Sequence, residues 1–292
     1  MFPDLPDNTY GYSAHYFNPV LSATACMMLC VFAMRDLALQ DFESRFEGKT
    51  WAMYSYSETK VSFTPSAGDI NTVRWALWGM AAAIRDMMVR NRFQTAQYDT
   101  TYMGIQVGVV KFFAPHRIDT GAKGNLTELV PSLTSGPASA TNHTDTTFIS
   151  LNDPNGNVAS SNSDDLWTEV TFRTTEIPIE DTFMSIVQAL LNLGPLNSTA
   201  LITQPLAVIG DALTVKIVTS FKRVERSTPP FFNYGHVVKG LAGLPRVMLR
   251  ENKFTEVDLR LIVDGVNVGN GRIRKRPMYE LVLPVTVNVS VS

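Results

Sequence analysis

Apolar residues recur along this chain at two periods, and the switches between them outline its elements. Tyr10, Tyr12 and Tyr16 fall on one side of an extended stretch, as alternate side chains of a strand do. The run over 20–34 is the most apolar in the chain, broken by Ser22 and Thr24. It falls short of the roughly 20 residues a bilayer needs, so it reads as a buried helix rather than a membrane span. Asn18 as cap and Pro19 at the first helical position predict a start there, with the helix running to about Phe46 and stopping at Gly48. Arg35, Asp36, Asp41 and Glu43 confine its solvent contact to the later turns. Strands are predicted over 51–56 and 61–63. A second helix capped by Asp69 follows, with Val73, Leu77, Met80, Ile84 and Met87 at helical spacing and Ala76, Gly79 and Ala83 admitting a close neighbour.

From Arg117 to Asp165 the chain is rich in Ser, Thr, Asn, Gly and Pro, with little apolar surface to bury, and reads as a linker or long loop. It divides the chain into a first half over 1–116 and a second over 166–292. The earlier order then resumes: a strand over 168–174, a helix over 181–193, strands over 206–209 and 213–221, and a helix over 234–250. Pro245 should kink or divide that last helix, making it a shorter and less regular partner of the helix behind Asp69. At the C-terminal end Leu281, Leu283, Val285, Val287, Val289 and Val291 alternate with other residues, the period-two mark of a strand with one buried face. Pro284 cannot donate to a ladder, which predicts an edge position. These six residues are the candidate self-association strand, pairing within the chain or with another copy in a homo-oligomer or filament.

Residues 91–112 recur without a gap as 252–273. Asn91, Phe93, Gly104, Val107 and Gly108 reappear as Asn252, Phe254, Gly265, Val268 and Gly269. Each copy reads as a hairpin: Asp264-Gly265 suits a two-residue turn with positive φ at both positions, and Met103-Gly104 occupies the same corner. Gly108 and Gly269, inside the return strands, mark a bulge or a close approach. The fold class expected is α+β, in two related halves. Each packs helices on one face of an antiparallel sheet, as a ferredoxin-like βαββαβ unit with extra strands. If the repeat reflects duplication, the halves superpose and Phe93 and Phe254 have matching environments.

Composition adds mainly exclusions. The 292 residues are 45% apolar and 18% charged, sparing in charge against roughly 25% in an average domain. A net charge of −2 gives no field to attract nucleic acid or an acidic membrane. Asp4 and Asp7, rather than basic residues, precede the apolar run, so no signal peptide is read there, which favours a cytoplasmic protein. Cys26 and Cys30, four apart on one helical face, read as buried free thiols, since helix geometry disfavours a disulfide between them and two thiolates do not complete a zinc site.

The chemistry-bearing residues form no constellation. His15, His116, His143 and His236 lack metal or triad spacing, and no nucleotide, hydrolase or metalloprotease motif stands in its required context. No catalytic, cofactor or metal residue is assigned. Gly269-Asn270-Gly271 lies in a hairpin arm rather than a strand-to-helix turn, so it lacks the helix N-terminus of a phosphate loop. Asp153, Asn155, Asn157 and Asp164 imitate a calcium loop, but Val158 stands where its turn needs Gly, and an Asp-Pro-Asn-Gly turn accounts for them. Arg272, Arg274, Lys275 and Arg276 form a candidate anion site; on a strand the three arginines share one face. Asn125, Asn142, Asn197 and Asn288 begin glycosylation sequons, with Asn125 and Asn142 in the linker.

At Trp51-Ala-Met-Tyr-Ser-Tyr, Val73-Arg-Trp-Ala-Leu-Trp-Gly and Gly265-Val-Asn-Val-Gly-Asn-Gly-Arg-Ile the chain resembles uncharacterised proteins of filamentous ascomycete fungi, many of them secreted. The resemblance implies an extracellular location and carries no activity or site residues. The functional expectation is a non-enzymatic structural or interaction protein that self-associates through strand pairing. The competing one is an enzyme or small-ligand binder with a site between the halves, where Trp78, Arg85, His15 and His236 are the first residues to inspect.

Overall fold

The computed structural model describes residues 9–66, 71–115, 146–150, 166–211 and 213–276, with the backbone alone at 146–150 and 211. The first half runs β1 (Tyr10–Val20), α1 (Ala23–Ala38), β2 (Lys49–Ala52), β3 (Lys60–Pro65), α2 (Val73–Val89), β4 (Gln94–Tyr102) and β5 (Ile105–Phe113). After β6 (Thr146–Ser150) the second half runs β7 (Leu166–Glu176), α3 (Ile179–Leu193), β8 (Leu206–Asp211), β9 (Lys216–Arg223), α4 (Tyr234–Glu251), β10 (Thr255–Val263) and β11 (Val266–Arg276). The sheets are ordered β1-β4-β5-β3-β2 and β6-β7-β10-β11-β9-β8, antiparallel throughout. The two halves are therefore the same α+β unit, with β6 added to the second. Its chain order is βαββαβ plus one strand. The finer ferredoxin-like arrangement is not confirmed: β1 lies at an edge of the sheet, and the extra strand β5 stands between β4 and β3.

Local chemistry repeats with the topology. Positive φ recurs at Asn91, Met103 and Gly104 and again at Asn252, Asp264 and Gly265, giving each hairpin its two-residue turn and each preceding helix the same left-handed exit. The Arg92 N–H bonds the Met87 carbonyl and the Lys253 N–H that of Met248, both at 2.9 Å. A bulge sits at Thr100/Thr101 opposite Gly108 and at Leu261/Ile262 opposite Gly269. Phe93 and Phe254, both partly buried against the core, accept at their carbonyls from Leu21 and Ile177, each at 3.0 Å. Their environments match, as duplication requires.

Each helix pair covers one face of its own sheet and turns its other side to the opposite pair. α1 touches α3 and α4, and α2 touches α3, so the layers run sheet, helices, helices, sheet. The buried residues form one continuous cluster through both halves. At the seam the Ser198 hydroxyl donates to the Leu39 carbonyl at 3.2 Å, and a Cβ on Gly194 would stand 2.3 Å from Leu77 Cδ2. Cys26 and Cys30 are buried free thiols in α1; burial pushes the Cys26 thiol up to about 12 and Cys30 further in the same direction.

Several boundaries differ from the sequence expectation. Asn18-Pro19 extends β1, and α1 is capped by Ser22, whose Oγ accepts from Ala25 N at 3.2 Å. The helix stops at Ala38, well before Phe46, because Asp41 turns the chain by accepting the Glu43 N–H at 3.1 Å. The strand expected over 51–56 ends at Ala52 and gives way to a 3₁₀ turn, Tyr54–Tyr56. The cap position of α2 belongs to Thr72, which makes no side-chain bond; Asp69 lies outside the described residues. Backbone carbonyls of Ser44 and Phe42 take the first N–H groups of α2, as those of Ala200 and Ser198 do for α4. Pro245 neither shortens nor divides α4, which has 18 residues against 17 in α2. Pro245 is buried, and packing on both sides of the helix compensates for the lost backbone bond.

The bulge glycines give the first testable consequence. A Cβ on Gly108 would lie 2.2 Å from Phe63 Cζ, and one on Gly269 2.6 Å from Phe232 Cζ. Gly108→Ala and Gly269→Ala should each cost about 1–3 kcal/mol, the usual penalty of overpacking a core. Equilibrium urea unfolding checks this, and the two substitutions should behave alike.

Candidate functional site at the open edge of the first sheet

β1 and β7 are equivalent strands with unlike surroundings. β7 pairs with β10 on one side and on the other with β6, in the register Thr147↔Val170, Phe148↔Glu169 and Ile149↔Thr168. β1 pairs with β4 on one side and, among the described residues, with no strand on the other. An edge strand presents unpaired N–H and C=O groups, and proteins usually blunt it with charge, shortness or proline. β1 is 11 residues long and contains no Lys, Arg, Asp or Glu. The other edge of its sheet, β2, has four residues and begins at Lys49, which pairs with Asp36 at 2.8 Å. The edge of the second sheet at β8, unpaired on its outer side among the described residues, has six residues and ends at Asp211. Only near its end does β1 carry a proline, and there Phe17 is 52% and Val20 76% exposed.

A polar centre holds this edge strand to the helix layer. Asp86, 5% exposed on α2, accepts from Tyr12 at 3.0 Å and Arg90 Nε at 2.7 Å on one oxygen. Its other oxygen accepts from Tyr16 at 2.5 Å and Tyr98 at 3.3 Å, and the Tyr16 and Tyr98 hydroxyls lie 2.9 Å apart. Arg92 lies over the Tyr16 ring at 4.3 Å. Burial by itself would raise the Asp86 carboxyl; hydrogen bonds from Arg90, Tyr16 and Tyr12 outweigh it and hold the group below the ordinary carboxylate value. Burial, reinforced by the neighbouring carboxylate, raises Tyr12 and takes Tyr16 up to about 12. Burial and the Tyr16 hydroxyl raise Tyr98 further still. Phenols pushed upward and a carboxylate with its acceptor directions filled make a clamp rather than an acid–base pair.

The second half shows that the fold does without this clamp. The ladders set Tyr12, Tyr16 and Tyr98 in register with Thr168, Phe172 and Leu259, and the repeat sets Asp86 with Val247. The cation over the ring is retained, Lys253 on Phe172 at 5.7 Å, while the acid and the phenols are gone. The clamp belongs to the half whose edge strand, among the described residues, has one neighbour only. Tyr12 and Tyr16 were legible, with Tyr10, in the extended stretch at the start of the chain; Tyr98 was not. Asp86 stands among apolar neighbours in the sequence, and only the repeat extended back from Asn91, which sets it against Val247, marks it out.

The residues singled out from sequence do not converge. His15, on the outer face of the first sheet, lies 3.5 Å from Asp99. Trp78 packs among Tyr10, Phe42 and Trp75. Arg85, half-buried on α2, lies within electrostatic reach of Tyr12. His236 is buried at the start of α4, where its Nδ1 accepts the Asn233 N–H at 3.3 Å in a capping box. In the basic cluster Arg274 pairs with Asp258 and, at 3.7 Å, with Glu256; Arg272 lies 3.6 Å from Asp258, and the Lys275 N–H donates to Glu256 at 2.9 Å. Arg276 ends β11. Arg272 and Arg274 therefore meet acids on their own sheet face, where Asp258 also pairs with Arg173. A concavity of about 520 Å³ on the second half is lined by Leu201, Arg223, Arg226, Phe231 and Phe232 among others. Asn197 is exposed and accepts from the Thr199 hydroxyl at 2.8 Å. The calcium-like loop, His116, His143, Asn125, Asn142, Asn288 and the strand from Leu281 to Val291 lie outside the described residues. Among the described residues no group of three His, Cys, Asp or Glu could hold a metal ion, and no helix is long and apolar enough to cross a membrane. The chain matches no known family model, no curated protein and no solved structure.

The clamp predicts a pH-dependent contribution to stability. Asp86→Asn should cost about 2–3 kcal/mol, as when charge-assisted bonds to a buried group are lost. Because the folded carboxyl titrates below its unfolded value, this contribution is complete above about pH 4 and disappears as pH falls through the folded pKa. Thermal unfolding from pH 7 to pH 2 should show the gap between parent and variant closing in acid; a constant gap would remove the charged carboxylate from the account.

Proposed function

We propose that this chain is a non-enzymatic structural protein that associates with itself through strand pairing. The observation that carries the reading is the difference between equivalent edges: β7 is covered by β6, while β1, long, uncharged and clamped to α2, has no second neighbour among the described residues. An edge of that kind is a template for another strand. The C-terminal alternation from Leu281 to Val291 supplies the complementary sequence, with apolar side chains worth about 1.5–3 kcal/mol each if fully buried. Scattered candidate residues and matched surface charge give the competing ligand-site reading little support. An extracellular setting accompanies the proposal through the resemblance to secreted fungal proteins. Glycan at Asn125 or Asn142 on chain isolated from its natural source would support that setting, and unmodified chain would count against it.

Sedimentation and thermal unfolding of the full chain and of a chain ending at Pro277 test the reading. The full chain should associate with rising concentration. The shortened chain should sediment as a folded monomer with nearly the same Tm, because a donated strand contributes chiefly to the interface. A full chain that stays monomeric throughout would overturn self-association. Large destabilisation of the shortened chain would instead assign the strand to its own core.

A further inference from the structure

We infer that the outer edge of β1 accepts segment 281–291 of a second copy, alongside Tyr12 to Tyr16. The inference rests on the self-association proposed above and adds its donor, its acceptor and the direction of exchange. The acceptor follows from the duplication. In the second half the matching edge takes up β6 antiparallel, opposite Thr168 to Val170, and those residues correspond in register to Tyr12 to Ala14. The same backbone in the first half therefore already has the twist and spacing that receive a strand.

Length and charge select this edge over the other edges that are open among the described residues. β1 has 11 residues and segment 281–291 has the same length, whereas β2 has four and β8 six. Neither β1 nor the segment contains an acidic residue, a lysine or an arginine, so pairing them leaves no charge facing an uncharged strand. The segment's apolar set would continue the face of Tyr12, Ala14 and Tyr16, and its alternate set, Val282, Pro284, Thr286, Asn288 and Ser290, would continue the outer face of Ser13 and His15.

The donor's origin follows from reach. β11 ends at Arg276 in the second sheet, leaving residues 277–280 before the segment. Fully extended, that stretch spans no more than about 18 Å. Two helix layers separate the second sheet from the first, which sets the sheets on the order of 20–30 Å apart. The whole segment cannot lie along its own β1, so a second copy must supply it.

Site-directed cross-linking in the full chain tests this. His15→Cys is placed in one tagged population, and Pro284→Cys, Thr286→Cys or Asn288→Cys in another; Ala52→Cys on β2 and Ile209→Cys on β8 serve as alternative acceptors. The native thiols are buried. After mixing and mild oxidation, at least one segment position should join His15→Cys between differently tagged chains with a yield at least about ten times that of either alternative edge, given the raised effective concentration of docked strands. Joining only within single chains carrying both substitutions would overturn the second copy as donor. Preferred joining to Ala52→Cys or Ile209→Cys, or no joining while sedimentation still shows association, would overturn β1 as acceptor and leave self-association standing. A chain that sediments as a monomer would remove self-association itself.

Discussion

A helix that is apolar nearly all round must be covered on every side, and α1 is such a helix. Ala25 to Val31, Ala33, Met34, Leu37 and Ala38 are all buried. Its own sheet and α2 cover part of that surface; α3 and α4 must cover the rest. This one requirement makes the two halves a single body. It also fixes which way each sheet faces, since both turn their helix-bearing sides inward and leave their outer faces to water. The opposite faces of α2, α3 and α4 follow the same rule, and the continuous buried cluster is its result.

Within that frame the duplication works as an internal comparison. Positions alike in both halves are those the unit needs: the positive-φ pair of each hairpin, the bulge glycine, the left-handed exit from the second helix and the loop carbonyls that receive its first N–H groups. Positions that differ are free of that demand. The Asp86 centre is the largest such difference, with a buried carboxylate and phenols on one side and Val247, Leu259 and Phe172 on the other. A buried charge is costly unless its partners are complete, and here they are complete. The centre ties to α2 a strand that has one neighbour among the described residues.

The candidate chemistry reads differently in three dimensions. The arginines of β11 share a face, as a strand period requires, but Asp258 and Glu256 on the adjacent strand meet Arg272 and Arg274 there. His236, conspicuous in sequence, is occupied in a helix cap. Isolated titratable residues are common in any sequence; what makes a site is convergence, and these side chains lie on different elements and faces.

The sequence by itself determined the repeated unit, the class of fold and most of its elements. Those rest on local rules: period two or 3.6, Asp-Gly at a tight turn, glycine where a side chain has no room. It misplaced what depends on a competing partner. Asn18-Pro19 fits a helix start, yet Ser22 caps α1 while Val20 still pairs with Gln94; Pro245 fits a break, yet burial on both sides keeps α4 whole. Tertiary structure alone decided the strand order, the meeting of the two helix layers and the clamp of Tyr12, Tyr16, Tyr98 and Asp86. It also left β1, among the described residues, without the second neighbour that β6 gives β7. Each of these joins groups far apart along the chain, and local periodicity says which side of a segment is buried but not what lies against it.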